Sequence, residues 1–268
     1  MLKVQNTIVK NYLPEIDCLR AIAILLVVFF HYELLGFQGG FLGVDIFFVI
    51  SGYLISKLLT ETKKDENWLL IFLNKRLRRI LPALYITIFC VTVISFVEFT
   101  PIHLDRVSDS ILSATFGYSN FFFWYEDGYF DASKMFKPLL HTWSLSVELQ
   151  LYLIWSFIYV LFLNKFKKYQ NQIIIFIIAI TLFFSILYSN RYSGFFYFTG
   201  FRIYEFGFGS LAYYLTDKKK LPFGDKSFIL GIIIIICSSL LIGESKDYNS
   251  YKSLIVVVST FLILLSFK

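Results

Sequence analysis

The chain has 268 residues, of which 57% are hydrophobic, 20% aromatic and only 16% charged. A soluble domain carries roughly a quarter charged residues, and a water-soluble core of this size has no room for 32 Phe and 18 Tyr, so lipid has to cover what protein does not. The net charge of +6 comes from short basic runs between apolar segments. That pattern points away from nucleic acid and towards topology signals beside anionic lipid headgroups.

Spanning helices are read from apolar runs of about 17–25 residues. In chain order about eight occur: 20–37, 41–59, 80–98, 142–163, 172–189, 197–215, 227–243 and 252–267. The expected fold is therefore all-α, a polytopic membrane helix bundle forming one domain over 1–268. The first run lacks a small-residue cleavage site and is expected to stay attached as a membrane helix. A weaker run at 107–124 is broken by Ser, Gly and Asn.

Charge decides whether that weaker run crosses. The strongest basic run, Lys63, Lys64, Lys75, Arg76, Arg78 and Arg79, belongs in the cytoplasm by the positive-inside rule, which puts the amino terminus there too. Lys165, Lys167 and Lys168, and then Lys218, Lys219 and Lys220, share that side only if 99–141 makes no net crossing. The run at 107–124 is thus expected to be re-entrant or interfacial within a long external loop. That loop carries mixed charge at His103, Asp105, Arg106, Glu126, Asp127, Asp131, Lys134 and Lys137. The last helix ends on the final residue, which predicts a chain that is truncated at its carboxy terminus or belongs to a larger protein. Cys18, Cys90 and Cys237 have neither metal-ligand nor disulfide spacing and read as small apolar fillers. Gly39, Gly40, Gly43 and Gly52 read as turn and helix-packing residues. The aromatics of 118–130 read as an interfacial belt, with sugar stacking second.

Ionisable groups inside membrane helices are costly and mark function. His31 stands in the otherwise apolar stretch AIAILLVVFFHY, and its unperturbed pKa near neutrality suits general acid–base work. Arg20 lies eleven residues earlier, about 16 Å and close to three turns, on the same face. His141, Ser144 and Glu148 share a face at spacings of three and four. His31, Asp45, Glu148, Arg202 and Glu205, from four helices, form a polar stratum in the outer half of the bundle, while Arg20 sits at the cytoplasmic edge. Arg202 and Glu205 also read as a structural ion pair at spacing three. Asp45 reads equally as a helix brace, and Ser144 as bonded to its own backbone. Arg76, Arg78 and Arg79, in a basic loop at a helix start, are topology signals that also form a patch suited to phosphate.

Five ordered stretches, EIDCLRAIAILLVVFFHY, GGFLGVDIFFVISGYLI, RLRRILPALY, LLHTWSLSVELQLYLIW and FRIYEFGFGSLA, closely resemble the acyltransferase 3 family of membrane proteins. Within it they look most like the branch that O-acetylates polysaccharides such as lipopolysaccharide O-antigen. The resemblance runs from Pro14 to the end of the chain. It implies a bacterial cytoplasmic-membrane protein of about ten helices, with the carboxy-terminal pair missing here. It implies acetyl-CoA as the cytoplasmic acyl donor and a glycan acceptor at the outer face, among membrane lipid and other cell-envelope glycan enzymes, with no metal. Arg20 and His31 match the family's basic residue and histidine on the first helix. His141, Trp143, Ser144 and Glu148 match its second motif, and Arg78 and Arg79 its basic loop. Cys18 stands where the family usually has glycine, and Leu149 and Leu151 replace a usual glutamate and phenylalanine.

The reading that follows has the donor's nucleotide on Arg20, Arg76, Arg78 and Arg79, and the thioester beside His31. His31 is the base, Asp45 or Glu148 fixes its tautomer, and Arg202 or a backbone amide holds the oxyanion. The competing readings are a proton-coupled transporter or flippase, against which stands the absence of two similar halves, and an inactive scaffold subunit.

Overall fold

The computed structural model describes residues 13–34, 36–62, 66–126, 137–188, 196–218, 224–243 and 250–266. Among the described residues there are ten α-helices and no strand. They run α1 (Pro14–His31), α2 (Gly43–Glu61), α3 (Trp68–Glu98), α4 (Pro101–Thr115), α5 (Ser119–Tyr125), α6 (Thr142–Ile158), α7 (Gln170–Tyr188), α8 (Ile203–Lys218), α9 (Asp225–Leu241) and α10 (Ser250–Ser266). Each of the eight expected segments is helical. Four helical stretches, 40–61, 68–98, 142–163 and 167–188, are long and apolar enough to cross a membrane.

Several boundaries differ from expectation, each for a local reason. The first helix occupies Pro14–His31 and not 20–37. Pro14 at its first turn is preorganised for a helix start, and Glu15 and Asp17 complement the helix dipole there. It stops because Glu33 and Gly36 adopt positive φ, 53° and 73°. His31 is therefore in the last turn of α1, at its mouth. The third helix begins at Trp68 and not at 80. Leu, Lys and Arg are strong helix formers, and no glycine interrupts 68–81. The basic residues Lys75, Arg76, Arg78 and Arg79 are consequently helical and two turns past the start, so their reading as a loop at a helix N-terminus is corrected. Pro82 sits inside this helix and forgoes one backbone bond without ending it.

The fourth segment continues from α6 into a π-helical turn at Tyr159–Leu163. The sixth is split, with a 3-10 turn at Thr199–Arg202 ahead of α8. The run at 107–124 becomes α4 and α5, parted by Gly117 at φ 71°; at 15 and 7 residues neither is long enough to span. Cys18, Cys90 and Cys237 are all exposed, so they fill no core. Lys63, Lys64, Asp127, Asp131, Lys134, Lys219 and Lys220, with the aromatics of 127–130, lie outside the described residues.

The bundle is built around α2, where 12 of 19 residues are buried. By contrast α3 buries only 4 of 31 and presents Ile86, Phe89, Phe96 and Val97 outward, as lipid-facing helices do. α2 lies along α8 at close range. A side chain on Gly52 would collide with the Phe206 carbonyl, and one on Gly209 with the Val49 carbonyl, so glycine at both positions sets the approach. Polar pairs then fasten the two helices: Ser56 Oγ donates to Ser210 Oγ at 2.7 Å, and the Thr60 and Tyr214 hydroxyls meet at 3.2 Å.

These contacts define two ends. Thr60 meets Tyr214 and Trp68 packs on Tyr159 at one end, where Lys75, Arg76, Arg78, Arg79, Lys165, Lys167 and Lys168 also lie. His31 meets His141, and the Gly39 amide donates to Ser239 O at 2.9 Å, at the opposite end. The basic runs that the described residues include therefore share one end of the bundle.

Candidate active site

Three apolar helix stripes face one another. On α1, Ile24, Val27, Val28 and His31 fall at helical spacing; on α2, Val44, Phe47 and Phe48; on α6, Ser144, Leu145 and Glu148, with His141 just ahead of the helix. They enclose two adjoining cavities. The outer, of about 360 Å3, is lined by His31, Tyr32, His141, Trp143 and Ser144 with Val27, Val28 and Val44. The inner, of about 290 Å3, is lined by Ile24, Phe47, Phe48, Leu145 and Glu148 and shares Val27, Val28, Val44 and Ser144 with the outer one. Together they make one groove, imidazoles at its mouth and a carboxylate at its inner end.

At the mouth the His31 and His141 rings meet edge to face, centroids 4.3 Å apart. Both histidines are exposed. This pairing was not foreseen: the sequence puts the two 110 residues apart, and only the fold brings the last turn of α1 to the start of α6. Ser144 Oγ donates to the His141 carbonyl at 3.2 Å, the backbone bond expected of a membrane-helix serine.

At the inner end Glu148 is held by two hydroxyls on one oxygen. Ser51 Oγ donates to its Oε1 at 2.7 Å, and the Tyr152 hydroxyl donates to the same atom. Glu148 lies two turns beyond His141 along α6, about 10 Å. Ser51 and Tyr152 escaped the sequence reading. Tyr152 had a signal, since it stands one turn from Glu148; Ser51 had none, being joined across two helices. Past Tyr152, Arg76 lies within electrostatic reach of Tyr152, Arg79, Arg20 and Glu148. Its Nε is buried and has no hydrogen-bond partner among the described residues. Arg20 Nη1 meets Asp17 Oδ1 at 3.3 Å, and Arg78 Nε donates to Asn74 Oδ1 at 3.2 Å; Arg78 and Arg79 are exposed.

The expected stratum thus divides in two. Asp45, Arg202 and Glu205 form a separate buried cluster in which Arg202 Nη1 donates to Asp45 Oδ1 at 2.8 Å and to Glu205 Oε1 at 2.7 Å. Its Nε and Nη2 donate to the Phe196 carbonyl at 3.2 and 3.1 Å. The guanidinium lies 4.7 Å from the Phe196 ring centroid and 5.8 Å from that of Trp143. Arg202 is 1% exposed, and neither it nor Asp45 is among the residues lining the groove. Arg202 and Glu205 form the ion pair that their spacing predicts, with Asp45 as an additional member. Trp143 joins the two sets, since it also lines the outer cavity.

A second polar network, likewise unforeseen, holds α5 on the far side of α6. Gln150 Nε2 donates to Asn120 Oδ1 at 2.9 Å and to Gly117 O at 3.0 Å. Thr199 bonds Gln150 Oε1, and the Ser119 and Ser146 hydroxyls meet at 2.8 Å.

No solved structure matches the chain. Among curated proteins it is 40% identical over 162 residues to the peptidoglycan O-acetyltransferase OatA of Listeria monocytogenes, an alignment covering 59% of this chain and 26% of that protein. It is 37% identical over 176 residues to the O-acetyltransferase OatA of Staphylococcus aureus (63% and 28%). It is 41% identical over 148 residues to the putative peptidoglycan O-acetyltransferase YrhL of Bacillus subtilis (54% and 23%). The alignments thus span about a quarter of the length of these relatives. The family description "Acyltransferase domain" (Acyl_transf_3) matches residues 13–268, which takes in all three groove helices and both imidazoles: the chain belongs to the acyltransferase 3 family.

Proposed function

We propose that the groove between α1, α2 and α6 is the site of acyl transfer, moving an acetyl group from acetyl-CoA at the basic end to a glycan hydroxyl at the histidine end. The observation that carries this is the groove itself, with arginines beyond its inner end and paired imidazoles at its mouth. Its length suits the donor. From thioester sulfur to pyrophosphate, the pantetheine arm runs roughly thirteen bonds, ~16 Å extended. His31 and Arg20 are separated by about the same distance along α1. A thioester beside His31 therefore brings the phosphates to Arg20 and Arg76, with Arg78 and Arg79 at the entrance.

His31 takes the proton from the acceptor hydroxyl as its oxygen attacks the thioester carbonyl. The new C–O bond forms, the C–S bond breaks, and the thiolate leaves with the proton returned by the imidazolium. His141 orients His31 through their ring contact. The oxyanion forms at the N-terminal end of α6, where the helix dipole favours negative charge. Arg202 is left out of this role because its guanidinium is buried and committed to Asp45, Glu205 and the Phe196 carbonyl.

The basic end faces the cytoplasm on this reading, with the amino terminus, and the histidine end faces the glycan outside the membrane. The three relatives described above include two named for peptidoglycan. Peptidoglycan is therefore the acceptor we favour over lipopolysaccharide O-antigen. Proteoliposomes holding the protein and labelled acetyl-CoA, given peptidoglycan fragments or O-antigen oligosaccharide, test donor and acceptor together. Alkali-labile acetyl on the peptidoglycan fragments is the expected product. Acetyl-CoA left intact with both acceptors contradicts the reading.

A further inference from the structure

The inner cavity is apolar except at Ser144 and Glu148. Ile24, Val27, Phe47, Phe48 and Leu145 supply most of its wall, and Glu148 is its one carboxylate. A carboxylate in such surroundings is costly unless its lone pairs are satisfied. The structure satisfies them unevenly. Ser51 and Tyr152 both donate to Oε1; neither bond reaches Oε2, and Glu148 faces the cavity. Two hydroxyls from different helices thus fix the carboxylate's orientation and leave one oxygen for an occupant that brings a hydrogen-bond donor.

We infer that Glu148 Oε2 is a subsite for a secondary amide, accepting an N–H from the arm of the acyl donor, and that Ser51 and Tyr152 position it for that bond. This rests on the acetyl-CoA reading above and assigns Glu148 to donor binding, not to orienting His31. The spacing selects which amide. Glu148 lies about 10 Å along α6 from His141. The amide nearer the sulfur is only about three bonds away from it. The farther one is roughly seven bonds away, ~8 Å extended, and it meets the carboxylate when the thioester lies beside the paired imidazoles.

The test uses the membrane protein in proteoliposomes with acetyl-CoA and two analogues, each with one amide N–H replaced by an ester oxygen. On the unaltered protein, the analogue changed at the farther amide is expected to raise KM about tenfold or more, as loss of a charge-assisted hydrogen bond does. Its kcat should stay within about threefold, and the analogue changed at the nearer amide should behave like acetyl-CoA. Glu148→Leu should raise KM for acetyl-CoA similarly and abolish the difference between the two analogues, while Glu148→Gln, which keeps an acceptor oxygen, should restore part of it. Equal KM for both analogues on the unaltered protein overturns the subsite, as does Glu148→Leu lowering kcat with KM unmoved; acetyl transfer itself then still stands. No turnover of acetyl-CoA by the unaltered protein overturns the donor reading and the subsite with it.

Discussion

Arg202 shows how much one side chain organises in a setting without water. It reaches two carboxylates and a backbone carbonyl and lies over Trp143 and Phe196. Removing one partner of a buried charge cluster leaves the others uncompensated, at about 3–5 kcal/mol. Arg202→Met is therefore expected to lower the thermal midpoint of the detergent-solubilised protein by a large margin, and Arg202→Lys to recover part of it. An unchanged midpoint in Arg202→Met would show that the cluster contributes nothing to the fold. Part of this cluster was legible in the sequence. Arg202 and Glu205 are one turn apart, and such pairs announce themselves by spacing. Asp45 was visible as a costly charge, but its partner lies 157 residues away, and no local pattern joins them. The same holds for His31 with His141 and for Ser51 with Glu148: His31 and Glu148 stood out as ionisable residues in apolar helices, Ser51 did not, and both pairings needed the fold.

The elements were legible where a single apolar period governs them. α2 and α7 follow their expected segments within about two residues at each end. α1 and α3 departed because hydropathy averages over amphipathic turns: both helices extend toward the basic end on charged residues that a transfer scale reads as loop. α4 and α5 were legible as something other than a span, since polar residues interrupt them. Their docking through Asn120, Gln150 and Thr199 was not, because hydrogen bonds between polar side chains leave no period. The α2–α8 contact is the element-scale feature most open to test. Gly52 faces backbone, not a yielding side chain, so Gly52→Ala should force the helices apart and cost about 1–3 kcal/mol. The thermal midpoint reports it, and Gly52→Ala should also loosen the α2 wall of the groove. An alanine variant as stable as the parent would mean that the helices pack less closely here.

On the scale of the whole molecule, the bundle is polarised between two ends. Arginines and lysines gather at one, paired imidazoles at the other, and an apolar groove with a fixed carboxylate joins them. On the proposed reading, that arrangement would keep a charged donor at the basic end and a glycan acceptor at the histidine end, with only the narrow arm of the donor passing between helices. Membership of the acyltransferase 3 family points to acyl transfer as the chemistry, and on the proposed reading the groove is where it takes place. The most direct measurement compares alkali-labile acetate on the cell-wall peptidoglycan of cells expressing the full-length protein or its His31→Ala variant at matched membrane abundance. The variant is expected to lose essentially all of the acetate the parent adds. Acetate at the parental level in His31→Ala would contradict a transfer site at the mouth of this groove.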